Sequence, residues 1–263
     1  MIVDNFCIDL MGLHMAVTAT LGMLYPGHSA EDDYPAIEQR LGDVAVPLVH
    51  TSVGEDAHRV DALLDLGRPE RLAEGAEALR RHDPDAVMWA CTSGSFVFGW
   101  EGAHEQAAGV EAILGVPVSS TSLAFARAAQ ALGLTSVAVA ATYPDDVAQR
   151  FVQFLAAAGV DVVGMSSHGI ITAAEVGRLG RDEVFALARS YDHPDAQAVL
   201  MPDTALHSVA WLDDLEEHVG KTVLTANQVT VWEALRLVGA ASSRPGLGRL
   251  FREAVYVTPQ GQR

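Results

Sequence analysis

The 263-residue sequence predicts an α/β fold of two pseudo-symmetric lobes, each a parallel sheet flanked by helices, with the active site in the cleft between them. Three observations predict it. Short apolar runs alternate with helical patterns along the chain. The second half repeats the strand endings of the first. Several of these runs also stop abruptly at small or ionisable residues, as strands do where an open α/β sheet meets its ligand.

Residues 1–20 read as an extension before the first core strand, with Cys7 packed among Phe6, Ile8 and Leu10. The run LGMLY (21–25) is the first buried strand, and Pro26-Gly27 marks its turn. Ser29 with Asp32 three residues on resembles a helix N-cap pattern, so helix is expected over 35–41 and strand over 44–49. Residues 56–81 have helical spacing broken near Gly67-Arg68-Pro69, and a strand then ends at Cys91. A helix over 105–114, a strand near 115–118 and a helix over 123–132 complete the first half. The expected division is residues 21–118 with 236–263 for lobe 1 and 119–235 for lobe 2.

The repeat is specific. Residues 134–144 end in Tyr-Pro as 21–26 do, Gly159–Val163 parallels Gly42–Val46, and Gly220–Val223 parallels Gly115–Val118. The segment AVLMPDT (198–204) parallels AVMWACT (86–92), which puts Cys91 and Asp203 at equivalent strand ends. In two facing lobes they would present ionisable groups to opposite faces of whatever binds between them. A racemase or isomerase needs such a pair around a planar intermediate.

Composition narrows the partners. The chain is 49% hydrophobic with a formal net charge of −17, which disfavours nucleic acid or an anionic membrane as partner. Two cysteines, Cys7 and Cys91, point to a reducing cytoplasm rather than a disulfide scaffold. No run is long enough to span a membrane, and the first residues lack a basic leader and carry Asp4 and Asp9. Neither the His28, Glu31, Asp32 group nor Asp203 with His207 has a recognised metal-ligand spacing, and no phosphate-binding glycine motif is present, so no metal or nucleotide is expected.

The local chemistry centres on residues 90–95, ACTSGS. A cysteine at a strand-to-helix corner is expected to have a lowered pKa, because the first helical N–H groups point at it. Thr92 and Ser93 add hydroxyl donors. Thr204 follows Asp203, His28 and Ser29 follow the first strand, and Ser122 and Asn227 occupy matching places in the two halves; all are candidate substrate-binding residues.

These segments also resemble a known family. ACTSGS (90–95), TYPDDV (142–147), NQVTVWEALRL (227–237) and RPGLGRLF (244–251), with the Leu-Tyr-Pro corner at residue 24, are similar to the aspartate/glutamate racemase superfamily, in its maleate cis–trans isomerase and arylmalonate decarboxylase branch. The resemblance implies a cofactor-free and metal-free enzyme acting on a small carboxylate, commonly as a homo-oligomer. It places Cys91 on the first catalytic cysteine and Thr92, Ser93 and Tyr143 where substrate carboxylate oxygens are held. Three departures stand out. Asp203 replaces the second cysteine of the isomerases and racemases. The decarboxylase has glycine first and cysteine second, the reverse of this chain. Gly27-His28-Ser29 stands where the isomerases carry Ser-Asn.

The expected function is a cofactor-independent isomerase or racemase using Cys91 and Asp203. In an isomerase course the thiolate adds to a carbon–carbon double bond. In a racemase course one group removes a proton and the other returns it. A decarboxylase of a malonate-type acid, needing one proton donor, and a catalytically silent carboxylate-binding protein are the alternatives. For Asp203 the competing role is a helix cap.

Overall fold

The computed structural model describes residues 17–27, 29–190, 193–240 and 243–253; Cys7 and His28 lie outside them. The first sheet is built from β1 (Ala19–Tyr25), β2 (Val44–Ala45), β3 (Leu48–His50), β4 (Ala86–Trp89) and β5 (Val118–Ser120). Between them run α1 (Asp33–Leu41), α2 (Val60–Leu66), α3 (Pro69–Leu79), α4 (Ser93–Phe96) and α5 (Gly99–Leu114). After α6 (Thr121–Ala131) comes a second sheet of β6 (Ser136–Ala141), β7 (Asp161–Ser167), β8 (Ala198–Met201) and β9 (Thr222–Thr225). Its helices are α7 (Asp145–Ala157), α8 (Ala173–Val176), α9 (Arg181–Arg189) and α10 (Leu212–Val219), and α11 (Ala226–Leu237) and α12 (Gly248–Glu253) follow.

All strand pairs are parallel, in the orders β2-β1-β4-β5 and β7-β6-β8-β9, with β3 beside the last residues of β1. Laying β1, β2, β4 and β5 over β6, β7, β8 and β9 reproduces one order from the other. The duplication read from strand endings is therefore also a duplication of topology. Strands β4 and β8 are buried along their whole length, which is why both read as unbroken apolar runs rather than alternating ones.

One expected strand is split. Residues 44–49 form β2 and β3 because Pro47 has no N–H to give the ladder, although its carbonyl still accepts from the Met23 N–H at 2.8 Å. The expected break near Gly67 separates α2 from α3, with Pro69 in the first turn of α3. Gly67 is required there by close approach: a Cβ on it would lie 2.0 Å from the Gly94 carbonyl oxygen. The Gln106 side chain of α5 binds both backbones, donating to Gly67 O at 2.7 Å and Gly94 O at 2.9 Å. The turn after β4 is thus clamped from behind by α2 and α5.

The two lobes share one core. Phe151 of α7 sits 5.3 Å from Phe96 of α4 and 5.4 Å from Phe125 of α6, ring centre to ring centre. Helix α11 lies along α6, with Thr121 and Thr230 hydroxyls 2.7 Å apart and the fully buried Glu233 bonded to Arg127 and Arg236. The chain after α11 touches both lobes: Arg244 forms a two-bond pair with Asp43, while the Arg249 N–H of α12 donates to Glu216 of α10.

Gly67→Ala should destabilise the protein by about 1–3 kcal/mol in denaturant unfolding, since the methyl group meets backbone that cannot step aside. Gly109→Ala, on an exposed and uncrowded face of α5, should instead add about 0.5–1 kcal/mol. Equal effects from both substitutions would contradict the clamp.

Candidate active site

Strand β4 delivers Cys91 and β8 delivers Asp203, each two residues past the last strand residue. The two side chains come from different sheets and line one small hollow of about 40 Å³. Ser93, Thr204, Ser29 and Tyr25 also line it, with His58 and the adjoining loop residues Val53, Glu55, Asp56 and Ala57.

Cys91 sits where α4 begins, and its Sγ accepts the Gly94 N–H at 3.3 Å, with Ser93 Oγ at 3.9 Å. Gly94 is small for a reason: a Cβ there would lie 3.1 Å from both Cys91 Sγ and the Trp89 ring. The lowered pKa expected from this corner is not found. Burial pushes the Cys91 thiol up to about 12, the Gly94 N–H and Ser93 pull it down by less, and the Asp203 charge raises it further. A single turn of four helical residues presents too few aligned N–H groups to offset the loss of water around a buried sulfur. Cys91 is a neutral thiol at physiological pH.

Asp203 is 4% exposed and has both oxygens engaged. Oδ1 accepts the Ala205 N–H at 3.0 Å, a local turn bond of the kind a cap makes, and Oδ2 accepts the Thr142 hydroxyl. It combines a backbone-fixing role with a place on the wall of the hollow.

The remaining sequence candidates divide. Ser29, Ser93 and Thr204 line the hollow. Thr92 lies behind Cys91, and its buried Oγ1 has no hydrogen-bond partner among the described residues. Tyr143 is also buried behind the wall; its hydroxyl donates to the Pro202 carbonyl and neighbours the Thr92 and Ser93 hydroxyls, and burial raises its pKa with Asp203 and Cys91 adding to the effect. Ser122 donates to the Thr92 carbonyl at 3.0 Å. Asn227 is fully enclosed, donating to Asp33 Oδ2 at 2.9 Å and the Thr204 carbonyl at 3.2 Å while accepting from the Tyr34 hydroxyl at 3.1 Å. Ser122 and Asn227 thus hold the two site loops from beneath rather than meeting the hollow themselves.

Most of the lining was not among the sequence candidates, and Tyr25 and His58 are the two aromatic rings in it. Tyr25 donates to the Thr204 carbonyl and accepts from the Ala30 N–H, both at 3.1 Å, tying the first lobe to the second. The Tyr-Pro corner shared by residues 25 and 143 was the signal for it. His58 sits in a charged loop segment, GEDAHR, that carries no motif. Among the described residues no group of three or more His, Cys, Asp or Glu side chains is arranged to hold a metal ion, and no helix is long and apolar enough to cross a membrane.

The arylmalonate decarboxylase family model matches residues 67–251. The chain is 28% identical over 248 residues to an arylmalonate decarboxylase from Bordetella bronchiseptica, covering 92% of this chain and 100% of that one. It is 27% identical over 182 residues to a maleate isomerase from Nocardia farcinica (strain IFM 10152), covering 66% of this chain and 72% of the relative. Among solved structures it is similar to an arylmalonate decarboxylase double mutant in the liganded form, in which cysteine replaces a glycine and serine replaces a cysteine. That match has a TM-score of 0.79 at 27% identity, over 89% of this chain and 99% of the other. The matched span takes in β4, Cys91, β8 and Asp203, and on it this enzyme belongs to the arylmalonate decarboxylase family, in the branch shared with the maleate isomerases.

Proposed function

We propose that the protein is a cofactor-independent decarboxylase of a small malonate-type acid, with Cys91 delivering a proton to one face of the intermediate. The observation that carries this reading is a buried thiol, held neutral and facing a carboxyl group across the hollow, with no second thiol among the described lining residues. When a malonate-type dicarboxylate loses CO₂, the broken carbon–carbon bond leaves its electron pair on the substrate as an enediolate. That strongly basic carbon takes the Cys91 S–H proton, and the thiolate left behind is reprotonated from solvent. One donor completes the cycle.

The other residues take roles that follow from their positions. The Ser93 hydroxyl, which lines the hollow, receives the retained carboxylate, whose charge grows as the enediolate forms, and the Thr92 and Tyr143 hydroxyls buried behind it are the further donors that the family resemblance assigns to the same carboxylate. Asp203 stands on the opposite wall, where its charge works against the departing carboxylate and is relieved as neutral CO₂ leaves. Of the relatives, the decarboxylase double mutant also gains a cysteine where a glycine stood and loses one elsewhere, an exchange in the same direction as the departure seen here.

Isomerisation or racemisation is the second reading, favoured by the placement of Cys91 and Asp203 at equivalent strand ends and by the likeness to maleate isomerase. Its isomerase course requires the thiolate, which a thiol near 12 opposes; its racemase course could use the thiol as acid and Asp203 as base. We further propose a cytoplasmic homo-oligomer without nucleic-acid or membrane partners, in keeping with two cysteines and a net charge of −17.

Incubation with malonate, methylmalonate, phenylmalonate and maleate, followed by NMR and CO₂ detection, should show CO₂ release from a malonate. Cys91→Ser should lower that rate by about 10²–10⁴-fold without unfolding the protein. Conversion of maleate to fumarate with no CO₂ from any malonate would replace this reading by the second. In a Cys7→Ser background, thiolate absorbance should stay absent at neutral pH and rise only well into the alkaline range. Asp203→Asn should shift that rise to lower pH, because it removes a charge that opposes the thiolate. A thiolate already present near pH 7 would contradict the protonated donor.

A further inference from the structure

The loop joining β3 to α2, residues 51–59, crosses the hollow and fastens to the other lobe. Asp56 accepts the N–H groups of Ala173 at 2.8 Å and Ala174 at 3.2 Å, and the His58 N–H donates to the Ile171 carbonyl at 2.6 Å. This seats the His58 ring at 5% exposure with its edge against the Tyr143 ring, the centres 4.9 Å apart and the planes at 89°. Its Nδ1 lies 2.8 Å from the Ile170 carbonyl oxygen. A carbonyl can only accept, so Nδ1 carries a proton whether the ring is neutral or charged. The nitrogen that gains or loses a proton is therefore Nε2, which has no hydrogen-bond partner among the described residues.

The charge around the hollow gives that atom a purpose. Glu55, Asp56 and Asp203 line it, and among the described lining residues there is no lysine or arginine. Arg59, next along the chain, is turned away into a two-bond pair with Glu55 at 3.0 and 3.1 Å and into Asp61. A small carboxylate entering this space loses hydration beside negative groups and needs a strong donor in return. Besides His58, the titratable groups lining it are Cys91, Tyr25 and the three carboxyl groups, with Tyr143 behind the wall, and none of these can become a cation.

We propose that His58 is a substrate-binding residue: its Nε2, protonated as the substrate enters, donates a charge-assisted hydrogen bond to the carboxylate retained on the Tyr143 side of the hollow. The proposal rests on the small-carboxylate reading of this site, though not on which reaction follows. Binding then takes up a proton wherever the ring starts neutral, because Nε2 of a ring protonated on Nδ1 can only accept until it is itself protonated.

His58→Asn separates this role from a structural one. The asparagine amide can still donate to the Ile170 carbonyl in place of Nδ1, while nothing replaces Nε2. Calorimetric titration with malonate and with phenylacetate, in two buffers of different ionisation heat, reads affinity and proton uptake together. Wild type should take up about one proton per carboxylate bound. His58→Asn should bind roughly ten- to a hundredfold more weakly, with no proton uptake, at an unchanged melting temperature. Its kcat/KM should also depend less on pH than that of wild type, whose binding is coupled to a proton on Nε2. Equal affinity in the two proteins, or no proton uptake by wild type, would overturn the assignment. Failure of wild type to bind either acid would instead overturn the carboxylate reading on which it stands.

Discussion

Two parallel strands, β4 and β8, end at one hollow, and that convergence is the constraint on which everything else in the molecule depends. Each belongs to its own sheet, so the meeting of Cys91 with Asp203 is only as exact as the seam between lobes. The seam is built for rigidity. Phe96, Phe125 and Phe151 form one aromatic cluster across it, α11 joins α6 along its length, and the Tyr25 and Asn227 side chains bind the same Thr204 carbonyl from different sides. Behind Cys91, Gly67 and Gly94 let helix and turn approach closer than any larger residue would allow. A reaction that moves one proton to one carbon needs its donor fixed to a fraction of an ångström, and these contacts supply that fixity.

Electrostatics then decides what the fixed thiol can do. The corner position suggests an activated thiolate, but removal of water from the sulfur outweighs the few N–H groups facing it, and the carboxyl group opposite adds to the imbalance. A neutral thiol is a poor nucleophile and a serviceable acid. Burial keeps the sulfur protonated, and the Asp203 charge opposite adds to that effect.

Much of this was legible in the residues. Strand endings that recur as Tyr-Pro and as an apolar run meeting an ionisable side chain, with glycine-led segments before other strands, reveal two lobes of like topology. Cys91 and Asp203 stood out as equivalents because fully buried parallel strands leave unbroken apolar runs with sharp ends. What could not be read was set by contacts between distant segments. Pro47 splits a strand that periodicity drew as one. Ser122 and Asn227 look like ligands by position yet spend their hydrogen bonds on the backbone of the site loops. His58 is brought to the hollow by a loop that reaches the opposite lobe, through bonds to Ile170 and Ile171 more than a hundred positions away, as the sequence numbers themselves show. The ionisation of Cys91 is hidden for a related reason, since local sequence displays the helix start but not the depth of burial.

The most direct measurement of the central claim is the handedness and isotope content of the product formed from a prochiral aryl methyl malonate in deuterated water. A single thiol on one wall predicts one enantiomer bearing a single deuterium at the former malonate carbon. Racemic product, or an unchanged single enantiomer after Cys91→Ser, would contradict it.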